Sequence, residues 1–126
     1  MFADPRHNIE QLGISDGAIV ADFGAGSGFY SMEAALAVAP SGKVYAVDVQ
    51  RELLERLKEE AKEHHIRNIE IIVGDLEKLG GSKLREDSCD IVIASNILFM
   101  IGDKKNFLLE ARRVLKPKGR LLVIDW

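Results

Sequence analysis

The sequence predicts an α/β domain with a doubly wound parallel sheet, and three observations predict it. Five apolar runs are separated by amphipathic stretches or long crossovers, the arrangement that joins parallel strands. The fourth run, CDIVIAS at 89–95, is apolar through its middle, as a strand covered on both faces must be. Between the first run and the first helical stretch, residues 20–35 read VADFGAGSGFYSMEAA, an acid near the end of a strand followed by glycines at three alternate positions.

Each element has its own signal. Asp4-Pro5 reads as a helix start, aspartate at the N-cap and proline at the first helical position, with Ile9 and Leu12 one turn apart and Gly13 at the end. This short helix either packs on the sheet edge or covers a ligand. Ser15-Asp16-Gly17 is turn chemistry leading into a first strand at 18–23. The helix beginning near Phe29 carries Met32, Ala35, Leu36 and Ala39 at the spacing of one buried face. Pro40-Ser41-Gly42 turns the chain into a second strand at 43–47, which ends in Asp48. A second helix at 52–65 places Leu53, Leu54, Leu57 and Ala61 inward and Glu55, Arg56, Lys58, Glu59 and Lys62 on a solvated face. The third strand is 68–73, followed by Gly74-Asp75-Leu76; residues 77–87, charged and weakly periodic, are expected to form a loop with at most a short helix. After the fourth strand, Asp103 caps a helix striped by Phe107, Leu108, Ala111, Val114 and Leu115, and residues 116–119 turn the chain into a fifth strand at 120–125.

Composition bounds the function. With 126 residues, 47% of them hydrophobic, the chain is one domain with one core. A net charge of -3 with dispersed lysines and arginines gives no electrostatic case for nucleic acid as a partner. A single cysteine, Cys89, excludes an internal disulfide or a cysteine metal cluster; at the start of its strand it reads as a small buried hydrophobe rather than a nucleophile. His64-His65 does not form a metal pair, because adjacent helical residues point about 100° apart. There is no signal peptide and no 18-residue apolar span, so a cytoplasmic location without a transmembrane segment is expected.

The glycine loop is built to hold a nucleotide cofactor. Glycine tolerates positive φ and lets a ligand lie against the backbone, and the following helix directs free N–H groups into that space. The spacing opposes a dinucleotide: the G-x-G-x-x-G pattern has its third glycine one residue later, where this chain has Phe29. Asp22 opposes it too, since a carboxylate about 6 Å from a phosphate costs about 3 kcal/mol at an effective dielectric near 20. A cofactor carrying an ammonium and a sulfonium, such as S-adenosyl-L-methionine, is favoured instead. Asp48, at the carboxyl end of the second strand, can accept hydrogen bonds from both hydroxyls of a ribose, or cap the next helix.

The pattern Asp22-x-Gly24-x-Gly26-x-Gly28, together with GKVYAVDV and ARRVLKPKGRLLVIDW, resembles the class I S-adenosylmethionine-dependent methyltransferases, and most closely their quinone-biosynthesis branch. The likeness runs from about Asp4 to Trp126. It implies a Rossmann-like sheet in the order 3-2-1-4-5. It also implies a cofactor site in which Asp22 and the loop of Gly24, Ala25, Gly26 and Gly28 hold the methionine end, Asp48 the ribose, with Val49 beside it in the site, and Asp75 and the Leu76 N–H the adenine, unless Asp75 only makes a local turn in its loop, with the methyl group near Asn96. In that family the segment 95–100 lines the acceptor pocket, and its apolar residues Phe99 and Met100 suit an apolar or aromatic small molecule as readily as they suit ordinary core. The Asn/Asp-Pro-Pro-aromatic signature of amino-methyltransferases is absent, and arsenic methylation, which needs several thiols, is disfavoured by the one cysteine.

The family ordinarily adds a sixth and a seventh strand beside the fifth, and these 126 residues hold neither. An uncovered fifth strand is expected to pair, with a homodimer through that edge as one form. The expected function is methyl transfer to a small-molecule acceptor, with no residue standing out as a general base. The alternatives are a cofactor-binding domain that is non-catalytic or partner-dependent and, disfavoured by the glycine spacing, an NAD-dependent oxidoreductase.

Overall fold

A computed structural model of the chain describes residues 9–10, 13–26, 28–95 and 97–124. Five strands, β1 (Ile19–Phe23), β2 (Lys43–Asp48), β3 (Ile69–Val73), β4 (Cys89–Ser95) and β5 (Leu115–Ile124), form one sheet in the order β3-β2-β1-β4-β5. Every pairing is parallel. The helices are α1 (Phe29–Val38), α2 (Arg51–Glu63) and α3 (Lys104–Val114), with a single 3-10 turn at Leu98–Met100. The expected architecture and strand order are the observed ones. The expected first helix falls largely outside the described residues; Ile9, which is buried, and Glu10 are helical.

Position in the sheet follows from apolar content. β1 is central, and four of its five residues, Val20 to Phe23, are fully buried. Side chains alternate across a strand, so Val20 and Asp22 face α1 while Ala21 and Phe23 face α3. On the first face Val20, Val44 and Ile93 meet Tyr30, Ala34, Ala35 and Val38, and α2 lays Leu54 and Leu57 over Ala46. On the other, Phe23 meets Phe107 edge to face, with ring centroids 5.8 Å apart. The chain crosses from one side of the sheet to the other between β1 and β4, which opens a crevice at the carboxyl ends of the strands.

Three expectations need correction. α1 buries Tyr30, Ser31, Ala34, Ala35 and Val38 rather than the Met32, Ala35, Leu36, Ala39 face; Leu36 is 59% exposed. Its sequence is apolar nearly all round, so the helical period did not choose; the buried side is the one on which the Ser31 hydroxyl donates to Asp22. α3 turns Leu108 outward and Glu110 inward. Residues 116–119 are not a plain turn but part of β5: Cys89 pairs with Leu115 and Ile91 with Arg120, a bulge that sets two steps of β4 against five of β5. The 77–87 stretch contains turns and no helix, as expected. The 40–42 turn is fastened by Asp16, whose Oδ1 accepts from the Ser41 N–H at 2.9 Å and from its hydroxyl at 2.8 Å.

Candidate functional site

The three loop glycines all lie at positive φ, +79° at Gly24, +54° at Gly26 and +83° at Gly28, but they serve different purposes. A side chain on Gly24 would run into the end of the Ile97 side chain and one on Gly28 into that of Leu57, so a substitution at either place needs its neighbour to move. At Gly26 a Cβ would meet nothing nearer than the Gly24 carbonyl at 3.8 Å. Gly26 is therefore the open floor of the loop.

The loop is tied to the end of β2. The Gly24 and Ala25 N–H groups donate to the Val47 carbonyl at 2.8 and 3.1 Å. Asp48 does more: its Oδ2 accepts from the Gly26 N–H at 3.0 Å and its Oδ1 from the Gln50 N–H at 2.9 Å. It does not cap α2, whose N-cap is Gln50. An ionised carboxylate offers about four acceptor sites, so two are still available for a ligand's hydroxyls. The Asp48 carbonyl in turn accepts from Gly74 at 3.0 Å, joining the loop after β3 to the same cluster.

Asp22 is fully buried, and its two oxygens differ. Oδ2 accepts from the Ser31 hydroxyl at 2.7 Å, while Oδ1 has no hydrogen-bond partner among the described residues. Burial pushes this carboxyl up to about 6; the Ser31 hydroxyl opposes the rise and the nearby Asp48 charge adds to it. An orphaned buried carboxylate oxygen costs stability, and it persists most readily where a ligand completes it.

Of the other predicted site residues, Asp75 stands at the carboxyl end of β3 and its Oδ1 accepts from the Glu77 N–H at 2.9 Å, a local turn. The side chains of Leu76 and Ala25 are packed into the core, while Val49 is exposed. Asn96 and the Phe99 side chain lie outside the described part of the structure. Cys89 begins β4, at the opposite end of the sheet, and burial raises its thiol pKa. Two features were missed. Ser31 follows Asp22 by a loop and the start of a helix, and its signal was a small polar residue in an otherwise mostly apolar helix. Ile97 over Gly24 had none, because the contact joins residues far apart in sequence.

Four large apolar side chains in or next to the loops are exposed: Phe29 opens α1, Val49 follows β2, Leu79 lies in the β3–β4 crossover and Met100 ends the turn after β4.

A protein-family model described as a methyltransferase domain matches residues 14–126. The chain belongs to the class I S-adenosylmethionine-dependent methyltransferases. Among solved structures, an S-adenosylmethionine-dependent methyltransferase from Aquifex aeolicus is 31% identical and superposes with a TM-score of 0.88, covering 98% of this chain and 64% of its own. The ubiquinone/menaquinone biosynthesis C-methyltransferase of Hahella chejuensis is 33% identical over 122 residues, 96% of this chain and 48% of that protein. An arsenite methyltransferase from Halobacterium salinarum is 29% identical over 112 residues, 89% of this chain and 28% of that protein. The chain thus spans half or less of the length of these two curated relatives.

Proposed function

We propose that this chain binds S-adenosyl-L-methionine and carries out methyl transfer to a small acceptor of apolar or aromatic character. The observation that carries the reading is the buried Asp22 oxygen without a partner, beside a glycine loop whose middle residue is open and whose N–H is held by Asp48. A cationic cofactor matches the buried acid Asp22 and a pyrophosphate does not; Asp48 does not discriminate, because the ribose of either cofactor can use an acid at that place. When bound, the cofactor supplies an electrophilic methyl group on a sulfonium. Asp22 and the backbone of Gly24, Ala25, Gly26 and Gly28 would hold the methionine end. Asp48, with Val49, would take the ribose, Asp75 and the Leu76 N–H would take the adenine, and Asn96 would lie near the methyl group.

The chain's contribution to the reaction is then positioning: an in-line arrangement of donor and acceptor accounts for rate without a general base when the acceptor is already nucleophilic. The exposed Met100, in the segment that lines the acceptor pocket in the family, supports an apolar acceptor. An arsenic acceptor has less support, since the one cysteine is buried at the far end of β4. Among the described residues no helix is long and apolar enough to cross a membrane, which is compatible with a cytoplasmic role. β5 is an edge strand of the described sheet with Leu121 and Val123 exposed, which supports pairing of two copies through it.

Calorimetric titration with S-adenosylhomocysteine, with NAD in parallel and Asp48→Ala as control, tests the reading. The expected result is a dissociation constant on the order of micromolar for the first ligand, weakened about a hundredfold in the variant. Tighter binding of NAD would make the chain an oxidoreductase domain, and a folded protein that binds neither would end the proposal.

A further inference from the structure

The most heavily partnered carboxylate in the described structure belongs to no residue of the cofactor site. Glu110, on the buried face of α3, is fully enclosed. Its Oε1 accepts from the Gly80 N–H at 2.7 Å and from Arg113 Nε at 2.8 Å. Its Oε2 accepts from the Ser82 N–H at 3.1 Å, the Ser82 hydroxyl at 2.6 Å and Arg113 Nη2 at 2.8 Å. The same Nη2 reaches the Leu84 carbonyl at 2.6 Å. At the other end of α3 the N–H of Asp103, its N-cap, donates to Glu77 Oε1 at 2.7 Å. α3 therefore grips the β3–β4 crossover near its start, its middle and its end.

What the grip holds is the turn at Asp75. The Gly81 N–H donates to the Lys78 carbonyl at 2.9 Å, and the Lys78 N–H to the Asp75 carbonyl at 3.2 Å. The backbones touch as well: a side chain on Gly81 would run into the Asp75 carbonyl, and one on Gly74 into the Gly81 carbonyl. Residues 80–82 are thus pressed against Gly74-Asp75, and Glu110 fixes residues 80–82. A carboxylate that receives five donors cannot drift, and neither can what they belong to.

We propose that Glu110 is a positioning residue for the adenine end of the cofactor site, acting through Ser82 and Gly80 on the turn that presents Asp75 and the Leu76 N–H. The inference rests on the reading of this chain as an S-adenosylmethionine-binding domain, since it assigns a role to Asp75 that only a bound adenine would use. Glu110 touches no ligand; it sets the angle at which Asp75 meets one. The link also runs the other way, because the segment at 97–102 leads directly into α3, so the adenine turn and the acceptor-side segment share one anchor.

The test compares wild type, Glu110→Gln and Ser82→Ala in titrations with S-adenosylhomocysteine and with S-inosylhomocysteine, in which oxygen replaces the adenine amino group. Circular dichroism and melting confirm folding. Wild type is expected to prefer the adenine compound; Glu110→Gln should weaken it about tenfold while leaving the inosine compound nearly unchanged, so the discrimination narrows. Ser82→Ala, which keeps the Glu110–Arg113 pair, should show the same narrowing to a smaller extent, and it decides the matter if Glu110→Gln does not fold. Folded variants with wild-type discrimination would overturn the positioning role and leave the cofactor reading intact. Failure of wild type to bind either compound would remove both.

Discussion

Asp22 and Glu110 are both buried carboxylates, and they have opposite characters. Glu110 is saturated: burial alone would raise its pKa, but Arg113, Ser82 and the Gly80 and Ser82 N–H groups outweigh that and hold it down at about 2. Asp22 is met by Ser31 at one oxygen while the other has no partner among the described residues, and burial carries it up to about 6. The first fastens the scaffold. The second sits where a ligand is expected, and its incompleteness is the cost of keeping acceptor capacity in reserve.

The contrast can be broken most forcefully at Glu110. Removing the carboxylate with Glu110→Ala strands Arg113, Ser82 and the Gly80 N–H together, and unfolding by denaturant should show a loss of about 3–5 kcal/mol. If the loss were below about 1 kcal/mol, the saturated network would not be the fastening it looks like.

Asp22→Asn should move stability in the other direction. A carboxyl whose folded pKa lies above its unfolded value of 3.8 binds its proton more tightly when folded, so its ionisation opposes folding. The penalty is absent below about pH 3.8, grows as pH rises to about 6, and is full above that. Its size at pH 7.5 is on the order of 3 kcal/mol. The variant should therefore match wild type at pH 4 and exceed it at pH 7.5 in paired denaturation curves, while binding S-adenosylhomocysteine at least tenfold more weakly. A variant that is less stable at both pH values would show that Asp22 is as well satisfied as Glu110.

The smallest effects separate the glycines. Gly26→Ala and Gly28→Ala share a backbone strain of about 1–2 kcal/mol, but Gly28→Ala also collides with Leu57. Melting should place Gly28→Ala below Gly26→Ala, and titration should place Gly26→Ala lower in cofactor affinity relative to its stability. Equal losses of stability would mean that Leu57 simply moves aside.

The parts of the fold that could be read from the chain are those whose cause is local. The ends of the first four strands to within a residue, the glycine turn, the Asp103 cap and the acid at the end of β2 each follow from a few adjacent residues, and the structure puts them where their chemistry points. The inward face of α1 could not be read, because apolar residues lie nearly all round the helix and the Ser31 contact with Asp22 that marks the buried side joins two elements. Glu110 looked like an ordinary charge between apolar positions; its partners at 80 and 82 lie 30 and 28 residues away, and nothing near it announces them. The bulge in β5 was hidden for a related reason, since Lys-Pro-Lys-Gly has turn composition and only the register with β4 shows that the strand continues through it.

The long reach of β1 bears on how the protein is made. β1 pairs with β2 on one edge within the next two dozen residues, but its other edge waits for β4, and the Ile19 N–H reaches Asp90 across 71 residues of chain. Contacts of that separation form late and slowly. During synthesis β1, β2 and β3 can assemble while the fourth strand is still emerging, leaving one side of the central strand bare. Ile97, which closes over Gly24, comes later still. The glycine loop is thus translated before the strand β4 that flanks it and before Ile97, which covers it.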